Sequence, residues 1–230
     1  MLTLLQRRGL CTAGSEIQGQ MKKLDLKKAR KALFAAPLNR FVAIDVPPVR
    51  YLMADGHGDP NTAPAYRLAV ESLYATAYTI KFACKAEGRD FVVAPLEGLW
   101  SAPDPESFTA RRKDEWDWTI MIMVPDFVEE EAFQAARTRA REKLGALSET
   151  LRLERLEEGL CLQALHVGSY DAEGPLLAML HGKIMPESGY DFAGPHHEIY
   201  LGDPRRTAPE KLRTLLRQPV RKVDPGSSPG

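Results

Sequence analysis

The chain has 230 residues, 31 of them basic and 31 acidic, so it carries no overall charge to match a phosphate backbone, and nucleic acid is not an expected partner. With 44% apolar residues and only Cys11, Cys84 and Cys161 as thiols, the composition is that of a soluble, cytoplasmic protein without a disulfide framework. Apolar runs fall well short of the ~20 residues of a bilayer span, which excludes a membrane as partner, and the length suits one large or internally duplicated domain.

Residues 1–20 read as a disordered N-terminal extension. Phe41–Ile44 and Val49–Ala54 are strand material around the Pro47-Pro48 break. After the Gly56–Asn61 turn, Tyr66, Ala69, Val70, Leu73, Ala77 and Ile80 recur at helical spacing, and this helix ends near Gly88. Phe91–Trp100 and Trp116–Val124 are β-rich. The acidic start at Glu129–Glu131 and the basic tail from Arg137 to Lys143 suit a connecting helix whose ends complement its dipole, with Gly145 as its cap. The pattern then repeats: a strand over Leu160–Val167, a turn at Gly168–Asp171, a helical stretch through Leu176 to Ile184, and strands over His196–Leu201 and Leu212–Val220. Residues 223–230 form a flexible tail by composition.

Two groups of side chains could carry chemistry. Glu97 and Glu198 each lie on the strand after their half's helix, accompanied by Trp100 and Tyr200. Strand alternation puts Glu198 and Tyr200 on one face. A carboxylate among aromatic rings is desolvated, which suits it to proton transfer or to pairing with a cation; a strand glutamate can equally sit on the wet face. Trp116 and Trp118 share a face with Ile120 and Ile122, an alternation that serves core packing as readily as stacking on a flat or cationic ligand. His196 and His197 are adjacent on a strand and face opposite sides, so no metal is expected. Cys84 and Cys161 sit inside apolar periodic segments and read as inert thiols. With no P-loop, dinucleotide fingerprint or nucleophile elbow, no cofactor is expected.

The run from His196 to Val220, together with Asp45-Val46-Pro47-Pro48, Asp55-Gly56-His57-Gly58-Asp59-Pro60 and the stretch Asp114–Met123, resembles the GyrI-like small-molecule-binding family. The likeness is to its free-standing members, some of which hydrolyse cyclopropane-bearing DNA-alkylating natural products. It covers roughly Met21 to Val220 and implies an α+β fold. Duplicated strand-helix-strand-strand units, about 41–125 and 151–222, would form a curved antiparallel sheet with a central ligand groove, as one domain over 21–222. It further implies a glutamate, Glu198, at the floor of the groove.

On that reading Glu198 is the base that activates water, Tyr200 a hydrogen-bond donor and Glu97 a second carboxylate. Trp100, Trp116 and Trp118, with Tyr170 in the second turn, would hold an aromatic or cationic small molecule. The leading function is a cofactor-independent hydrolase of strained electrophiles in detoxification or multidrug binding. A non-catalytic binder or sensor, and a gyrase-interacting protein, are the alternatives, and a homodimer is compatible with the sequence.

Overall fold

The computed structural model describes residues 23–104 and 106–223. The N-terminal extension expected over 1–20, and the tail beyond Val223, lie outside the described residues.

A short helix, α1 (Leu26–Ala29), opens under the side-chain cap of Asp25, whose carboxylate accepts from the Lys27 amide at 3.1 Å. Strands β1 (Val42–Val46) and β2 (Val49–His57) flank the Pro47-Pro48 break. Gly58, at φ +97°, turns the chain into the long helix α2 (Pro64–Ala86), which begins with proline at its first position. Next come β3 (Leu96–Ser101), α3 (Glu106–Thr109) and β4 (Asp117–Met123). Helix α4 (Glu130–Leu144) has the expected acidic first turn and basic last turn, and ends at Gly145, φ +79°. The second half contains β5 (Arg152–Leu156), β6 (Gly159–Val167), α5 (Gly174–Met179) and α6 (Met185–Glu187), with a π-helical turn over Leu180–Ile184 joining the two helices. The strands β7 (Tyr190–Phe192), β8 (His196–Tyr200) and β9 (Arg213–Lys222) complete it.

The strands form a curved, unclosed antiparallel sheet in the order β1-β6-β9-β8-β3-β4-β2-β5, with β7 on β9. The two halves meet at the β3–β8 pair, and around that seam β2-β4-β3 mirrors β6-β9-β8. Each half also lends its first strand to the other: β1 pairs with β6, and β5 with β2. The exchange carries the β5–β6 connection, with Glu157 and Glu158, behind the seam.

One face of the sheet carries both helical layers. Tyr66 of α2 packs on Trp100 and Trp118 at 6.4 and 5.2 Å, while Leu176, Leu180 and Met185 pack on Leu162, Leu216 and Val220. Leu52, Ala54, Leu73, Ile80, Ile120 and Ile122, all at most 1% exposed, form the core under α2, and α4 packs against α2 through Phe133, Ala136 and Ala140. A buried leucine or isoleucine contributes ~1.5–3 kcal/mol, so this layer fixes the distance of α2 from the sheet. The gap between α2 and the helical stretch from Gly174 to Glu187 is the groove. Among the described residues no helix is long and apolar enough to cross a membrane.

Candidate active site

Register decides what faces the groove. Gly98 lies opposite Glu198, and Trp100 opposite His196, so Glu198, Tyr200 and Trp100 share the helix-bearing face at the seam. They line an open cleft of about 2480 Å³ whose walls include Tyr66, Trp116, Tyr170 and Glu173.

A directed chain of hydrogen bonds runs along this floor. The Trp100 indole N–H donates to the Tyr200 oxygen at 3.0 Å, and the Tyr200 hydroxyl donates to Glu198 Oε2 at 2.9 Å. Burial, reinforced by Glu198, pushes the Tyr200 phenol well above its ordinary range, so it remains a donor at any working pH. Gly98 makes the chain possible: a Cβ there would stand 3.0 Å from Trp100 Nε1 and 3.1 Å from the Tyr200 hydroxyl. On the other side His196 Nε2 lies 3.5 Å from Glu198 Oε1.

Glu173 is the second carboxyl of the cleft. It is 3% exposed, and its Oε1 is buried without a hydrogen-bond partner among the described residues. Burial first, and then the neighbouring Glu198, raise its pKa to about 10, so it is a neutral acid at pH 7. A proton donor thus adjoins a carboxylate that a phenol orients. Rings enclose the pair: Tyr170 meets Tyr200 edge-on at 5.5 Å, Trp116 meets Trp100 edge-on at 5.8 Å, and Phe108 backs Trp116 at 5.1 Å.

The opposite face of the seam holds a buried polar network. His197 is completely buried, with Nε2 3.0 Å from Glu97 and Nδ1 2.9 Å from Glu158. Arg217 donates to Glu158 at 2.9 Å, to Gln163 at 2.8 Å and to the Leu33 carbonyl at 2.8 Å, and Tyr51 donates to Glu97 at 3.2 Å. Burial disfavours the charged imidazole, but the two flanking carboxylates outweigh it and raise the pKa of His197. Burial likewise works against ionised Glu158, yet His197 and Arg217 hold it down at about 2. The network clamps β8 from behind, and Glu198 is the next residue along that strand.

The chain matches the model of the GyrI-like small molecule binding domain over residues 41–221. The chain belongs to the GyrI-like family. An uncharacterized conserved protein from Listeria innocua superposes on this GyrI-like protein with a TM-score of 0.79 at 41% identity, covering 86% of this chain and 100% of its own. A structure described as a hydrolase from Listeria innocua gives 0.74 at 40% identity over 86% and 100%, and another such hydrolase, encoded by lin2189, gives 0.77 at 41% over 87% and 100%. The C-terminal domain of EcmrR, at 13% identity and a TM-score of 0.51 over 80% of this chain and 98% of its own, shares the fold alone. A search of curated proteins found no match.

Of the residues expected at the GyrI-like groove, the structure brings together Glu198, Tyr200, Trp100, Trp116 and Tyr170. Two expectations are corrected. Glu97 pairs with Ile199, one residue out of step with Glu198, so it points to the opposite face and ends in the His197 network. Trp118 is 2% exposed and spreads its ring over Gly56, where a Cβ would stand 2.1 Å from the indole, and its N–H donates to the Gly58 carbonyl at 3.2 Å. It therefore supports Tyr66 from below instead of lining the cleft. Sequence reasoning missed Glu173, which lies just after the second turn with no periodicity to mark it; its place beside the Gly168–Asp171 turn was the available signal.

Proposed function

We propose that the cleft hydrolyses electrophilic, cyclopropane-bearing small molecules, using Glu198 as general base and Glu173 as general acid. The observation that carries this reading is geometric: a carboxyl oriented by the Tyr200 hydroxyl lies beside a second, buried carboxyl inside a ring-lined cleft. Glu198 takes a proton from water as the water oxygen bonds to the ring methylene. The strained carbon–carbon bond breaks, and its electron pair moves into the conjugated acceptor, whose oxygen takes the proton of Glu173. Transfer of the proton from Glu198 back to Glu173 restores the site, and the net change is addition of one water. Ring strain supplies much of the driving force, so positioning and proton transfer suffice. The hydrolase descriptions of two relatives at 40% and 41% identity favour turnover.

Incubating the purified protein with a cyclopropane-containing alkylator and following the water adduct by mass spectrometry tests the proposal. Multiple turnovers support it. Stoichiometric uptake of unchanged ligand would favour a sequestering binder, for which the same ring-lined cleft would also serve.

A further inference from the structure

Beside the cleft lies a second cavity, lined by cations. Lys27, Lys28 and Lys31, on the turns that open the chain, and Arg213, at the start of β9, surround a hollow of about 440 Å³ whose apolar wall is Phe34 with Leu201. That volume lies within the range of small-molecule sites. The charges collect here although the chain as a whole balances: of the nine residues from Lys23 to Lys31, five are basic and only Asp25 is acidic. Arg30 is taken up by Asp126 at 2.7 Å, and Lys28 lies 3.7 Å from Asp25. Lys27, Lys31 and Arg213 have no carboxylate partner among the described residues. The backbone that bears the lysines is held in place. The Leu24 amide donates to the Asp90 carbonyl at 2.9 Å, the Val92 amide donates to the Leu24 carbonyl at 2.8 Å, and Leu26, Leu33 and Phe34 are buried. From below, fully buried Arg217 donates to the Leu33 carbonyl at 2.8 Å, and Gln163 to the carbonyls of Ala32 and Ala35 at 3.3 and 3.2 Å. A hollow of this volume is about 8–9 Å across, close to the ~8 Å over which physiological salt screens charge, so the cations repel one another and an anion among them relieves them all.

We propose that this cavity binds a phosphate-bearing small molecule with an apolar body, a nucleoside polyphosphate by class. Three unpartnered cations converging on one hollow match the charge of a polyphosphate, and the Arg213 guanidinium offers phosphate oxygens a planar fork of donors. Phe34 and Leu201 supply apolar surface for the rest of the molecule. A nucleic-acid strand would need a basic track along the surface, whereas these cations surround a single hollow. The site is separate from the reacting groups of the cleft: Lys31 and Arg213 line the cationic cavity alone, while Lys27 and Leu201 border both. It therefore holds whether or not the cleft hydrolyses its ligand.

Calorimetric titration of the full chain with orthophosphate, tripolyphosphate, ATP and citrate, at about 0.15 M salt, tests the assignment. One equivalent of tripolyphosphate or ATP should bind, at least about tenfold more tightly than orthophosphate, and ATP should exceed tripolyphosphate through its contact with the apolar wall. A Lys31→Ala/Arg213→Ala double variant should weaken ATP at least about tenfold, while Arg213→Lys, which keeps the charge and loses the fork, should fall between wild type and Arg213→Ala. Both side chains are exposed, so neither change threatens the fold, and an unaltered melting temperature checks this. Glu198→Gln should bind ATP as wild type does. No saturable binding at this salt, or an affinity unchanged in the double variant, would overturn the proposal. ATP binding that survives the double variant but is altered in Glu198→Gln would overturn it by moving the anion into the cleft, and citrate binding as tightly as tripolyphosphate would overturn the assignment to phosphate.

Discussion

Replacing Glu158 by glutamine probes the clamp behind the active strand. The substitution keeps the shape of the side chain but removes the charge that faces both His197 at 2.9 Å and Arg217 at 2.9 Å. The carboxyl is almost fully buried, and its pKa falls from 4.5 to about 2 on folding, a difference that corresponds to about 3 kcal/mol at neutral pH. Removing one partner of a buried pair costs a similar ~3–5 kcal/mol. For a chain of this size that is roughly 6–20 °C in Tm. The folded pKa is depressed, so this stabilisation is complete above pH 4.5 and is lost as pH falls toward 2. Thermal unfolding followed by circular dichroism should therefore show a gap between wild type and E158Q that is widest near pH 6 and narrower by about 2 kcal/mol at pH 3. A Tm shift below about 2 °C, or a gap of the same size at both pH values, would refute the view that Glu158 is held ionised by these two cations.

Three further substitutions follow from the same geometry. Gly98→Ala places a methyl 3.0 Å from Trp100 Nε1 and 3.1 Å from the Tyr200 hydroxyl, so it should break the Trp100–Tyr200–Glu198 chain and lower turnover at least about tenfold while shifting Tm by only a few degrees; assays of rate and melting on one preparation check both. Glu173→Gln keeps a neutral amide where the acid sat. Because burial raises the folded pKa of Glu173 to about 10, wild-type stability carries a cost that grows as pH rises from 4.5 toward 10. The variant should consequently melt higher than wild type at pH 8, match it near pH 4, and lose turnover. Gly56→Ala would drive a Cβ to 2.1 Å from the Trp118 ring and should cost at least ~1–3 kcal/mol, measurable by urea unfolding.

The strands that build the seam were legible because period-two alternation and the flanking turns mark them directly. The same alternation is enough to put Glu198 and Tyr200 on one face. It cannot place Glu97, since alternation within a strand does not set the register between strands, and a one-residue offset sends a side chain to the other side. Trp118 was ambiguous for a related reason: a ring alternating with isoleucines fits core or cleft, and what settles it is Gly56 on β2, a residue 62 positions away that leaves room for the indole. The His197 network was invisible because Glu158 reaches Arg217 and His197 only through the exchange of β1 and β5 between the halves. Glu173 was missed because a single acidic residue at a helix start is usually solvated, and only its burial beside Glu198 sets it apart.

The proposed mechanism depends most on Glu198 acting on water, and comparing wild type with Glu198→Gln under single-turnover conditions addresses this directly. With a cyclopropane-bearing alkylator in excess enzyme, the variant should bind with an affinity within a few fold of wild type, keep its melting temperature, and form the water adduct at least ~100-fold more slowly. Adduct formation at the parental rate by E198Q would contradict the assignment of the base and, with it, the mechanism proposed for the cleft.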